Sequence, residues 1–187
     1  MQSGFYKEIQ LNDSHWTNAQ TRVNSTKVYA GSHRGSQANQ VGFLGEVVAE
    51  EWFRDNRIRF EDCRESTKLD YRVGKGFTVD VKTKDRTVPP RINFDNSVPL
   101  YNHSHQRPQF YLFISLLRDK KFEKNNIQRY RKAYIVGGIE IEKLDREGKK
   151  WNAGDIDPDN GTKFWTACIN VSMLQLIPFH ELVEIWR

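Results

Sequence analysis

The residues of this chain whose types and spacing could do chemistry are Asp70, in the stretch KLDYRV, and the pair Asp80 and Lys82, in FTVDVKTK. Alternating apolar and polar residues predict two strands, 68–73 and 77–83, joined as a hairpin by Gly74-Lys75-Gly76. Pairing Val73 with Phe77 sets a register that puts Asp70 directly opposite Asp80. Like charges facing each other across an antiparallel pair repel, with Cβ atoms about 5 Å apart, so the arrangement calls for a cation. Mg²⁺ is suited to it: the ion takes oxygen ligands, sits on one or two carboxylates and completes its shell with water and substrate phosphate. Lys82, two residues on and on the same strand face as Asp80, has the charge to steer a metal-bound water or to neutralise a phosphate. The plain alternative is a surface hairpin on which Arg72, Lys82 and Lys84 pair with the two acids, because Asp-x-Lys alone is a weak motif.

A frame for these side chains is legible on both sides of the hairpin. From Gln40 to Asn56, Val41, Leu44, Val48 and Trp52 recur at helical spacing and Val47 widens the stripe, which predicts a helix. Glu46 falls off that stripe beside Gly42, Gly45, Ala49 and Phe53, a face of mostly small residues on which a helix can lie close to a sheet. Each glycine inside a helix costs up to about 1 kcal/mol against alanine, so close packing or access to the backbone is expected there. Further on, Phe110 to Leu117 and Ala133 to Ile141 are nearly continuous apolar runs, the pattern of strands covered on both faces. The segment from Trp165 to Trp186 carries Ile169, Val171, Leu174, Leu176 and Ile177, then Pro178 ahead of a short helix from His180. Residues 1–36 are polar and weakly patterned, with Phe5, Ile9, Leu11 and Trp16 as isolated anchors, and read as an irregular arm with room for a short helix. The fold class is α/β, a single domain over 1–187 with a mixed central β-sheet flanked by helices.

Taken together, Gly45-Glu46 in VGFLGEVVAEEWF, Asp70 in KLDYRV, and Asp80 and Lys82 in FTVDVKTK resemble the PD-(D/E)XK nuclease superfamily, over residues 40–140. The resemblance implies a restriction-endonuclease-like α-β-β-β-α-β core, with 1–36 as the arm and 141–187 as a C-terminal extension. It implies that Asp70 is the principal metal ligand and Asp80 the second, that Glu46 assists the metal directly or through water, and that Lys82 acts on the attacking water. The cofactor would be Mg²⁺ or Mn²⁺ and the reaction hydrolysis of DNA phosphodiester bonds. Leu69 stands where the proline of the family's name would be, and 87–107, broken by prolines, shows no pattern for the helix expected after the third core strand. The alternative function is a non-catalytic nucleic-acid-binding module of the same fold. Facing carboxylates argue against it, since they repel phosphate unless a metal is present.

Contacts to nucleic acid are expected from basic residues. Arg118 to Lys132 holds seven (Arg118, Lys120, Lys121, Lys124, Arg129, Arg131 and Lys132) against Asp119 and Glu123, with Phe122 and Tyr130 interleaved. That is the composition of a phosphate-contacting loop, although a solvated loop between strands looks the same. Lys84 and Arg86 continue from the Asp80 strand toward the substrate face, and Gln109 is a further candidate. His103 and His105 lie in a polar loop without the hairpin and helix of a His-metal nuclease, and His33 and Arg34 read as polar loop residues ahead of the Glu46 helix. Trp52, Trp165 and Trp186 are assigned to packing, whereas Trp151 packs or stacks on a base.

The chain has 187 residues, 29 Lys and Arg against 24 Asp and Glu, and a net charge of +5. That length suits one domain with a core that needs no staple, and the charge suits an anionic partner without naming it. Cys63 and Cys168 show no metal-ligand spacing, which fits free thiols in a reducing, cytoplasmic setting. No apolar run approaches the ~20 residues of a membrane span. Lys7, Glu8, Asn12 and Asp13 interrupt any signal-like stretch. There is no GxSxG elbow, P-loop or Gly-rich dinucleotide fingerprint. DNA is the expected partner, and cutting both strands with one site per chain implies a homodimer.

Overall fold

The computed structural model describes residues 4–25, 36–66, 68–100, 106–123 and 125–187. The first elements are β1 (Lys7–Gln10) and α1 (Asp13–Ser25), followed by α2 (Ser36–Asp55). Three strands come next, β2 (Phe60–Asp62), β3 (Tyr71–Val73) and β4 (Phe77–Arg86), and then β5 (Asp95–Pro99). The rest comprises β6 (Phe110–Arg118), β7 (Tyr130–Glu140), α3 (Ile141–Glu147), β8 (Lys149–Trp151), β9 (Cys168–Ser172) and α4 (Phe179–Trp186).

Six strands form one sheet in the order β1-β7-β6-β4-β3-β2, in which β4 and β6 alone are parallel neighbours. Parallel neighbours need a crossover. Here it contains β5, which pairs with β9 in a second, antiparallel sheet ordered β5-β9-β8. The surroundings of β6 explain why its sequence is apolar from Phe110 to Leu117 apart from Ser115. Leu112, Ile114 and Leu116 join one core cluster with Val41, Leu44, Val48 and Trp52 of α2, while Tyr111 and Phe113 join another with Val98 of β5 and Ile169 and Val171 of β9. The central sheet is therefore covered by helices on one face and by the small sheet and α3 on the other, which favours apolar residues on both faces of β6; buried Ser115 is the exception and accepts from Arg86.

The hairpin register is the one read from the residues: Val73 pairs with Phe77, Arg72 with Thr78 and Tyr71 with Val79. Gly74 sits at φ +56°, a conformation that favours glycine, and a Cβ there would strike the Trp186 carbonyl. The turn is thus fitted under the end of α4.

Three features differ from the sequence reading. Residues 7–25 are an ordered strand and helix in place of an irregular arm: β1 extends the sheet at β7, and Asn12 Oδ1 caps α1 by accepting the Ser14 N–H at 3.1 Å. The segment 141–187 is built into the body, since Leu182, Val183 and Trp186 complete the helix-side core. Trp52 and Trp186 are buried and Trp151 stacks on Phe164 with ring centroids 4.5 Å apart, but Trp165 is 75% exposed, with the Lys163 ammonium 5.0 Å from its ring. Among the described residues, no helix is long and apolar enough to cross a membrane.

Candidate active site

α2 reaches the centre of the sheet because its small face lies on β4. A Cβ at Gly45 would run into the Thr83 side chain, so only glycine permits this approach, and Ala49 beside it is fully buried. Gly42, one turn earlier, meets nothing within 4 Å and plays no such part. The approach brings Glu46 to the hairpin.

At the hairpin, Asp70 lies one position beyond the last β3–β4 pair and brackets Asp80. Its N–H donates to Val79 O at 3.1 Å and its Oδ2 accepts the Val81 N–H at 2.7 Å. Burial, then the Asp80 charge, then that of Glu46 hold the Asp70 carboxyl well above the usual carboxylate range, despite the Val81 hydrogen bond. Asp80 is 3% exposed, and its Oδ2 stands 2.5 Å from Lys82 Nζ. The buried Oδ2 thus has the Lys82 ammonium as its ion-pair partner. Tyr111, the neighbour of Asp80 on β6, places its ring 5.8 Å from Lys82 Nζ. Burial and the Asp80 charge push its phenol up, so Tyr111 stays neutral.

These residues fit a divalent cation. Two buried carboxylates, the charge of one raising the proton affinity of the other, are what a small hard cation would relieve, with water and phosphate completing its shell. Among the described residues no three His, Cys, Asp or Glu side chains are grouped to hold a metal.

Glu46 is engaged elsewhere. Its Oε2 accepts from Arg64 Nη1 at 2.7 Å and lies 3.7 Å from Arg22 Nη1. Burial pushes its carboxyl up against the pull of the Arg64 hydrogen bond. Arg64 is held in turn by Asp62 on β2, and Glu50, one turn on, takes Arg22 at 2.9 Å and the Tyr71 hydroxyl at 2.8 Å. Glu46 thus neighbours the two aspartates by charge but is tied to an arginine network.

The expected DNA contacts divide. Lys84 donates to Asp95 O at 3.3 Å and Ser97 Oγ at 3.4 Å, and Arg86 to Asp95 O at 2.7 Å and Ser115 Oγ at 3.1 Å. Both tie β4 to β5 of the small sheet, and burial pushes Arg86 down to about 10. Gln109 Oε1 accepts the Thr78 N–H at 3.0 Å, joining the starts of β4 and β6. Arg129 is buried against the Tyr130 hydroxyl, 2.7 Å away, and offers no surface to a phosphate. Lys120, Lys121 and Arg131 are exposed. Lys124, His33, Arg34, His103 and His105 lie outside the described residues.

Residue patterns did not single out Tyr111, Arg64 or Arg22. Tyr111 is the one polar-tipped aromatic in the β6 run, a faint signal; nothing local marks Arg64 or Arg22, whose partners are distant in sequence. No family model and no curated protein matches the chain.

Proposed function

We propose that this protein is a Mg²⁺- or Mn²⁺-dependent nuclease that hydrolyses DNA phosphodiester bonds. One observation carries the reading: the buried Asp80 carboxylate lies 2.5 Å from Lys82 Nζ, and its charge acts on the desolvated Asp70 carboxyl. A surface hairpin would leave these charges to solvent, and a purely binding module would gain nothing from buried acids that repel phosphate. The element order adds support. A helix, three antiparallel strands and then a strand parallel to the third follow the restriction-endonuclease-like core, with β5 occupying the crossover where that core has its second helix.

In this reading Asp70 and Asp80 hold the cation, which when bound polarises the phosphoryl oxygens and lowers the pKa of water. Lys82 orients the attacking water and offsets charge developing on the phosphate. Tyr111 keeps its proton and walls Lys82 on the β6 side. Glu46 contributes through water, held in place by Arg64. A homodimer would place two such sites on opposite strands.

The test is incubation of labelled linear, circular, branched and single-stranded DNAs with wild type and Asp80→Ala, in Mg²⁺, Mn²⁺ or EDTA. Metal-dependent products from wild type that vanish with Asp80→Ala are expected. DNA that is bound but uncut with every metal would leave a binding module in place of the enzyme.

A further inference from the structure

α1 presents a solvent face without charge along its middle: Thr17, Thr21 and Asn24 are exposed, and Gln20 is half-buried beside them. Exposed helix faces ordinarily carry Lys, Glu or Arg, which favour helix, whereas Thr and Asn cost stability there. This face borders a shallow, open groove of about 300 Å³, with the 3-10 turn Ile127–Arg129 that leads into β7 along its other side. Trp16 and Ile127, both nearly buried, form its apolar floor, and Gln128 faces Gln20 and Asn24 across it. The size is at the low end of ligand pockets, roughly 300–1,000 Å³.

No side chain lining the groove is charged, so it is not built for a phosphate or a carboxylate. It offers neutral donors and acceptors over an apolar floor. Gln20 is used within the protein, its Nε2 donating to Asn24 Oδ1 at 2.9 Å and its Oε1 accepting from Gln40 Nε2 at 3.5 Å, which leaves the Asn24 amide donors for the groove. The Gln128 amide carries both functions. Such an edge matches a planar heterocycle with alternating donors and acceptors. A cation stands at its rim: the Arg131 guanidinium lies 5.4 Å from the Trp16 ring and 4.6 Å from Phe122. A neutral groove with a guanidinium at one side fits a base whose backbone runs along that side. The slot also connects to the candidate active site, because Gln40 of α2 bonds Gln20 and the Asn125 carbonyl. Gln40 precedes Glu46 by six residues, about 9 Å of helix.

We infer that this groove takes one unstacked nucleobase, so that the substrate is DNA with an unpaired nucleotide near the cleaved bond and not continuous duplex. The inference rests on the nuclease reading for its partner.

The test measures binding of fluorescein-labelled DNAs in EDTA, a blunt duplex against the same duplex with a single-stranded tail, at one salt concentration. Wild type is expected to bind the tailed DNA about tenfold more tightly, and Asn24→Ala/Gln128→Ala, altered only at exposed positions, to lose that preference while keeping its affinity for the blunt duplex. Equal binding of the two DNAs by wild type, or a preference that survives in the double variant, overturns the base slot; if metal-dependent cleavage persists, the nuclease reading stands. Failure to bind or cut any DNA overturns both.

Discussion

Asp70 and Asp80 are buried near enough that the Asp80 charge raises the proton affinity of Asp70, and this costs stability before it serves function. Asp70→Asn keeps an acceptor for the Val81 N–H and removes one charge, so the metal-free variant should be more stable than wild type by about 1 kcal/mol at neutral pH. The sign follows from the raised Asp70 value. The folded state holds that proton more tightly than the unfolded chain, whose carboxyl titrates near about 4, so wild type gains stability as pH falls from neutrality and loses it as pH rises through the folded value. The gap between variant and wild type should narrow on acidification, and millimolar Mg²⁺ should stabilise wild type more than the variant. Thermal melts at several pH values, with and without Mg²⁺, check this; equal melting temperatures throughout would mean that the two carboxylates do not repel. At this scale the sequence was informative where chemistry is local. Asp70, Asp80 and Lys82 lie within one hairpin whose turn and alternation fix the register. Arg64 and Tyr111 reach the site through contacts that no local pattern encodes.

α2 positions the site through one residue. Gly45→Ala should cost about 1–3 kcal/mol, because the new methyl meets Thr83 across a packed contact and must push α2 off β4. Gly42→Ala should stabilise by about 0.5–1 kcal/mol, since the helix gains a better former and the methyl meets nothing. Chemical denaturation of the two variants gives opposite signs if the helix approaches the strand as described, and equal signs if it does not. The small-residue face was visible in the sequence, but which glycine made the contact was not, because that depends on where β4 crosses the helix. α1 was legible only as room for a short helix within an irregular arm, for a different reason. Its Thr, Asn and Ser residues are poor helix formers, and what holds it is burial of Trp16 and Ala19 against the body together with the Asn12 cap, which a propensity reading weighs too lightly. The crossover of 87–107 was opaque because β5 finds its partner β9 some seventy residues on, a pairing that leaves no local signature.

The whole molecule is a sheet clothed differently on its two faces, helices on one and a small sheet on the other, with the candidate site beside the seam where α2 meets the hairpin. That arrangement accounts for the fate of the basic residues. Those on β4 beyond Lys82 turn inward to fasten the small sheet, whereas Lys120, Lys121 and Arg131 stay at the surface beyond the N-terminal half of α2. Charge composition foretold an anionic partner without separating these two groups, because inward and outward positions on a covered sheet depend on what covers it. The measurement that bears most directly on the central claim is single-turnover cleavage of the preferred DNA in Mg²⁺ by wild type, Asp70→Asn, Asp80→Asn and Lys82→Ala, each first shown to melt cooperatively. The account predicts cleavage by wild type and a loss of at least about a hundredfold in each variant; a wild type that cuts nothing, or three variants that cut as it does, would contradict it.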